Sequence, residues 1–322
     1  MRIRSIAKIT ALLLSALLAL CGLAGCSDAA ATVGEQDVSA DLLRYFTLNY
    51  RDDLGYTDEE YAADPAKGEE LEALVHEALR EVMTYRALAE EFDLELSEEE
   101  EAGIQTSLDS LREQYADDEE YQEAMKAENL TEEAYRELTT LQLLAQKVYE
   151  YLTSPRHNII ASDDATVDGD IAAGNFFSAE YLYIYYSETD KDEKIAFADT
   201  LYQALQSGSS MRELDDQYAA EYGLAMDYVE LGAFTYTQQE EGFEQLILSL
   251  KEGQCAAPVV RGDGILIARR QALSMDYVEE HYSDVVQSYK EREFAYYIRR
   301  YGEGLEITYH GDFENQKLWE IQ

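Results

Sequence analysis

In Ala179-Glu180-Tyr181-Leu182-Tyr183-Ile184-Tyr185-Tyr186 the large side chains alternate. Tyr181, Tyr183 and Tyr185 point one way and Leu182, Ile184 and Tyr186 the other, the period of a strand with both faces in use. Before this stretch the period is helical. Leu71, Leu74, Val75, Ala78, Leu79, Val82 and Ala89 make a helix of Glu69 to Glu91. Ile104, Leu108, Leu111 and Tyr115 do so for Ser97 to Tyr115, a short helix follows over Tyr121 to Ala127, and Thr131 caps a long one to Leu152. Thr57 with Glu60 and Ser97 with Glu100 have capping-box spacing. Asp64-Pro65 and Gly68 read as an interruption, Ser39 to Arg51 as a helix and Thr32 to Val38 as a brief strand. Residues 154–178 read as a linker with one short turn of helix.

After Tyr186 come a helix over Lys191 to Ser207, a second over Met211 to Tyr222, a strand over Val229 to Phe234 and a third helix over Gly242 to Leu250. Pro258 to Val260 and Ile265 to Arg269 make a hairpin, Tyr277 to Tyr301 one long helix, and Leu305 to Tyr309 a last strand. The acidic runs Glu98–Glu101 and Asp117–Glu120 sit at helix starts, where the macrodipole favours negative charge. Neither has the alternating ligands and central glycine of a calcium loop.

The order strand, helix, helix, strand, helix, strand, strand over 179–272 resembles a parvulin (rotamase) domain. The wording agrees: Ala179-Glu180-Tyr181-Leu182, then Gly208 with Met211-Arg212-Glu213-Leu214, Leu231-Gly232-Ala233-Phe234, Phe243-Glu244, Leu250-Lys251-Glu252-Gly253 and Pro258-Val259 follow in turn. The flanks resemble the SurA and PrsA families, notably where Leu130-Thr131-Glu132-Glu133-Ala134-Tyr135 turns into a long helix. The resemblance implies an α+β fold: a mainly helical N-terminal chaperone domain over 38–153, an inserted parvulin-like domain over 179–272, and a C-terminal helix and strand in 273–322 that return to the first domain.

Peptidyl-prolyl isomerisation needs no strong acid or base, because its barrier of about 18–20 kcal/mol comes from amide resonance. The resemblance implies an apolar prolyl pocket, a pair of histidines and a nearby Asp or Cys. In this sequence the histidine positions fall on Tyr181 and Gly264, and the acid position on Glu221. Leu231, Phe234, Gln239 and Phe243 fall on peptide-binding positions. No histidine lies within 179–272; the four are His76, His157, His281 and His310, and no pair has metal-ligand spacing. The expectation is therefore a binding scaffold weak or inactive as a catalyst. An isomerase using Tyr181 and Glu221 is the alternative within this fold, and a structural or ligand-binding surface lipoprotein is the alternative outside it.

The first residues join a basic start, Arg2, Arg4 and Lys8, to an apolar run from Ile9 that ends on Leu23-Ala24-Gly25-Cys26. That is the layout of a secretory signal, and its ending resembles a bacterial lipobox. The resemblance implies removal of residues 1–25, a diacylglyceryl group on Cys26, a tether over 26–37 and work at the extracytoplasmic face of a cell membrane. Of the three cysteines, Cys21, Cys26 and Cys255, one thiol then remains, and no intrachain disulfide forms. The formal net charge is −42, which repels nucleic acid and anionic head groups and leaves the acyl chains as the anchor. There are 26 tyrosines against 9 phenylalanines and one tryptophan; broad rings with polar tips suit weak contact with many chains. The expected partners are unfolded or exported polypeptides and the membrane, with no nucleic acid, cofactor or metal; a homodimer is left open.

Overall fold

The computed structural model describes residues 29–222 and 225–321, leaving aside the side chains at 219–221, 222 and 241. Cys26 and the segment before it lie outside the described residues. The chain forms two compact units, one holding the chain up to Leu152 and again from Tyr296, the other holding Thr153–Ala295.

The first unit begins with a hairpin of β1 (Ala31–Val33) and β2 (Gln36–Val38), turning at Gly34 with φ +60°. Ser39 caps helix α1 (Ala40–Leu54), its Oγ accepting from the Leu42 N–H at 3.1 Å. Thr57 caps α2 (Asp58–Ala63) through a full capping box. Asp64-Pro65 then starts a helix rather than interrupting one: α3 runs Pro65–Glu91, with the Asp64 carboxylate accepting from the Ala66 N–H. Proline suits the first helical position because its missing N–H would have had no partner there. A second full capping box at Ser97 opens α4 (Glu98–Arg112), followed by α5 (Asp118–Ala127) and α6 (Glu132–Thr153). Ser97→Ala removes the acceptor for the Glu100 N–H, and a loss of about 1 kcal/mol in urea unfolding is the expected result. The main core of this unit gathers Leu42 and Leu43 of α1, Leu71, Val75, Leu79 and Met83 of α3, Leu141 of α6, and Val33 and Val38 of the hairpin.

The second unit starts with α7 (Asp164–Ala172) and strand β3 (Phe176–Tyr185). The segment 154–178 thus holds a nine-residue helix and the start of a strand, more structure than a linker. Its own apolar period is faint because its buried groups, Val167 and Phe176, find their partners far along the chain, in Val278, Val285 and Tyr289. Helices α8 (Lys191–Gln206) and α9 (Met211–Tyr222) precede β4 (Met226–Thr235). Then come α10 (Glu241–Ser249), β5 (Val259–Val260) and β6 (Gly264–Gln271). The sheet is antiparallel in the order β4-β3-β6-β5, so the alternating strand is central, with Tyr181 opposite Val229 and Ala268. One face carries Leu182, Ile184, Ile265 and Ile267 against α8 and α9. The other carries Phe177, Ala179, Leu266 and Ala268 against Phe243, Ile247 and Leu250 of the α10 region. Alternation sends Phe176 and Phe177 into different clusters, and the register with β4 shifts between Phe177 and Ala179.

The expected single helix from Tyr277 is two helices, α11 (Met275–Glu280) and α12 (Tyr282–Glu303), broken at His281, whose ring stacks on Tyr277 at 4.0 Å. Ser274 caps the first, accepting from the Tyr277 N–H. Strand β7 (Ile307–Tyr309) pairs with β1, Ala31 facing Tyr309, and completes the order β2-β1-β7. The last residues lay Trp319 flat against Tyr61 at 5.8 Å, and Arg51 donates to the Trp319 and Ile321 carbonyls. The fold is α+β: a helical first unit completed by a C-terminal helix and strand, around an inserted antiparallel-sheet domain. Among the described residues no helix is long and apolar enough to cross a membrane.

Candidate functional site

The α10 face of the second unit gathers the aromatic side chains that the sequence singled out. Period-two alternation puts Tyr181 and Tyr183 of β3 on this face, and α10 lays Phe243 over it. The Tyr181 ring meets Phe243 edge-on, with centroids 5.4 Å apart. Phe243 in turn lies 6.3 Å from Phe234, Phe234 5.9 Å from Phe177, and Phe177 5.1 Å from Tyr236. Phe234 and Phe243 are buried, and Leu231 and Tyr181 are half-buried at the same cluster. Four expected positions, Tyr181, Leu231, Phe234 and Phe243, thus share one apolar cluster, with Tyr181 and Leu231 at its partly exposed edge.

Gln239 stands apart from that cluster, in the loop before α10. Its N–H donates to Glu244 Oε1 at 2.9 Å, and the Thr237 N–H donates to Glu244 Oε2 at 3.1 Å. Glu244, in the first turn of α10, therefore straps the loop to the helix it precedes. Glu221 is the penultimate residue of α9, and its side chain lies outside the described residues.

Gly264 is buried, and the reason for glycine there is visible. A Cβ at 264 would stand 2.4 Å from Tyr183 Cε1, 2.7 Å from its Cζ and 2.8 Å from the Ile184 carbonyl oxygen. The Tyr183 ring therefore fills the space that a side chain at 264 would need. It is held in place by its hydroxyl, which donates to Asp263, and by the edge of Tyr185 at 5.0 Å. Tyr183 was legible as one residue of a strand face; its role as the partner of Gly264 was not. Gly232 behaves alike, its missing Cβ leaving room for the Tyr277 ring, 2.2 Å from the ideal position.

Burial, then Asp227, holds the Tyr181 hydroxyl above the ordinary tyrosine range; burial, then the bond to Asp263, does the same for Tyr183. Both stay protonated at neutral pH, so they can donate a hydrogen bond and cannot act as bases. On the opposite side of the sheet Glu180 accepts from Tyr228 at 3.0 Å and from Arg269 at 3.2 Å, fixing β3 between β4 and β6 behind the site. Burial, followed by the Glu180 bond, pushes Tyr228 up to about 12. Cys255 is buried, and its thiol is pushed up to about 11, mainly by burial, which marks an inert structural group. Among the described residues no group of three or more His, Cys, Asp or Glu is placed to hold a metal ion.

The family model for the PPIC-type PPIase (rotamase) domain matches residues 179–272. No curated protein matches the sequence. Among solved structures, a PrsA peptidylprolyl isomerase from Bacillus anthracis is 17% identical, covering 70% of this chain and 94% of that one at a TM-score of 0.29. The foldase protein PrsA from Streptococcus pneumoniae is 10% identical, covering 83% and 96%, at 0.34. A SurA-like chaperone structure from Campylobacter jejuni is 12% identical, covering 88% and 98%, at 0.29. With the family match, the strand order and the helices on both faces of its sheet, the segment 179–272 of this chain is a PPIC-type, parvulin-like rotamase domain.

Proposed function

We propose that this chain is an extracytoplasmic protein-folding factor, anchored to a bacterial cell membrane through a diacylglyceryl group on Cys26, that holds unfolded exported polypeptides. The rotamase domain serves it as a binding surface more than as a catalyst. One observation carries this reading: Tyr181, Leu231, Phe234 and Phe243 gather in one apolar cluster, while the Tyr183 ring fills the space that a side chain at 264, one of the two histidine positions the resemblance implies, would need. The Tyr181 and Tyr183 hydroxyls beside that cluster stay protonated at neutral pH. The boundaries that suit this reading are a signal over 1–25, a tether over 26–37, a helical client-holding domain over 38–153, the rotamase domain over 179–272 and a returning segment over 273–322.

Cis–trans exchange of Xaa-Pro peptides, followed on the peptide resonances by NMR with the full chain in neutral micelles, tests the reading. The expected rate stays within about twofold of the uncatalysed one for every preceding residue, while the same peptides bind and Phe243→Ala weakens that binding about tenfold. Exchange far above the uncatalysed rate and lost in Phe243→Ala would overturn it in favour of an isomerase using Tyr181 as a hydrogen-bond donor. Absence of both exchange and binding points instead to a structural or solute-binding lipoprotein.

A further inference from the structure

We propose that the tyrosine end of this face selects client segments that carry a lysine or arginine two or three residues along from the apolar side chain anchored at Tyr181 and Phe243. The inference rests on the client-binding reading and names the chemistry of the client. The aromatic surface has two unlike ends. At one end, around Phe177, the cation place is already filled: the Arg270 guanidinium lies 5.3 Å from the ring centre. At the other end two half-exposed to exposed rings, Tyr183 and Tyr185, each hold a carboxylate. The Tyr183 hydroxyl donates to Asp263 Oδ1, and the Tyr185 hydroxyl donates to Asp227 Oδ2 at 2.9 Å.

Those bonds fix the carboxylates without consuming them. A carboxylate offers about four lone-pair sites, and each tyrosine occupies one. Both Asp227 and Asp263 are exposed, and among the described residues neither is ion-paired. Arg261, which also acts on Tyr183, is committed to Glu240 at 2.5 Å. The local field is negative beyond this pair: the Asp215 carboxyl is raised first by burial and then by Asp216 and Asp227. The faces of Tyr183 and Tyr185 supply the π-surface on which a cationic side chain rests. Strand geometry sets the spacing. At about 3.3 Å per residue, Tyr181 and Tyr185 are about 13 Å apart along β3, which an extended client running beside the strand crosses in about four residues. A long basic side chain covers part of that span, hence two or three. The net charge of −42 adds attraction at longer range for basic clients.

The experiment measures binding of peptides labelled with an uncharged dye to the full chain in neutral micelles, by fluorescence anisotropy at low salt. Three peptides share a Leu-Pro anchor and differ only two residues along, in Lys, Gln or Glu. The Lys peptide is expected to bind about five- to tenfold more tightly than the Gln peptide, and the Glu peptide more weakly than either. That preference is expected to fall below twofold in 0.5 M salt and in Asp227→Asn with Asp263→Asn, while Phe243→Ala weakens all three peptides together. Circular dichroism of the asparagine variants checks that they are folded. Equal binding of the three peptides overturns this proposal and leaves the client-binding reading standing. A preference that survives both asparagine changes also overturns it, by placing the selectivity elsewhere. No binding of any peptide removes both.

Discussion

Replacing Gly264 by valine is expected to destabilise the rotamase domain by more than 3 kcal/mol, read as the urea midpoint of its unfolding. The new Cβ would overlap three atoms, and only two of them can move: the Tyr183 ring can swing out, but the Ile184 carbonyl oxygen, 2.8 Å away, belongs to the central strand. Swinging the ring out also breaks its bond to Asp263 and its contact with Tyr185. Overpacking a well-filled core costs about 1–3 kcal/mol, and backbone collision adds to it. Tyr183→Ala made together with Gly264→Val should recover about half of the loss, because it clears the ring and leaves the carbonyl. The coupling in this double-mutant cycle is the decisive quantity; purely additive effects, or a valine variant within 1 kcal/mol of the parent, would contradict the packing described. The same geometry says that a histidine at 264 collides with the Tyr183 ring and with the Ile184 carbonyl oxygen, and shrinking Tyr183 removes only the first collision.

The second large effect is expected at Arg292, which is 3% exposed. Its guanidinium donates to Asp170 Oδ2 and to Thr235 Oγ1, both at 2.8 Å, and to Glu293, so one side chain ties α7, the end of β4 and α12 together. It also lies 5.1 Å from the ring centre of Tyr289. Arg292→Ala leaves the Asp170 carboxylate without its cation in a part-buried place, and breaking such a pair from one side costs about 3–5 kcal/mol. Arg292→Ala with Asp170→Ala removes the stranded charge and should cost distinctly less than the arginine change alone. If the two changes simply add, the pair is not the reason for the loss.

Much of the fold was legible because its signals are local. Alternation at 181–186 gave the central strand and the face each residue uses, and Thr57, Ser97 and Thr131 gave helix starts through hydrogen bonds spanning three residues. What escaped depends on partners distant in the chain. The helix over 164–172 is held by Val278, Val285 and Tyr289, and nothing within the segment announces that. Asp64-Pro65 was ambiguous, since proline both ends helices and begins them, and only the cap geometry decides. At the site, Tyr181, Leu231, Phe234 and Phe243 could be found by spacing. The pairing of Tyr183 with Gly264 crosses two strands 81 positions apart and shows in the sequence only as a glycine inside a strand, a known sign of close approach.

The pairing of β1 with β7 has a consequence for how this molecule is born. Thr32 hydrogen-bonds to His310 across 278 positions, so β1, which pairs with β2 at once, waits long for the partner of its other edge. A chain delivered N-terminus first must carry Ala31–Val33 with one edge unpaired until Ile307–Tyr309 have emerged. Joining ends that far apart is entropically costly and slow while the intervening chain is loose. The insert changes that: once Thr153–Ala295 has collapsed on its own nearer contacts, the floppy length between the two strands shrinks sharply. By that loop-closure argument, a substitution that slows collapse of the insert is expected to delay closure of a sheet that contains none of its residues.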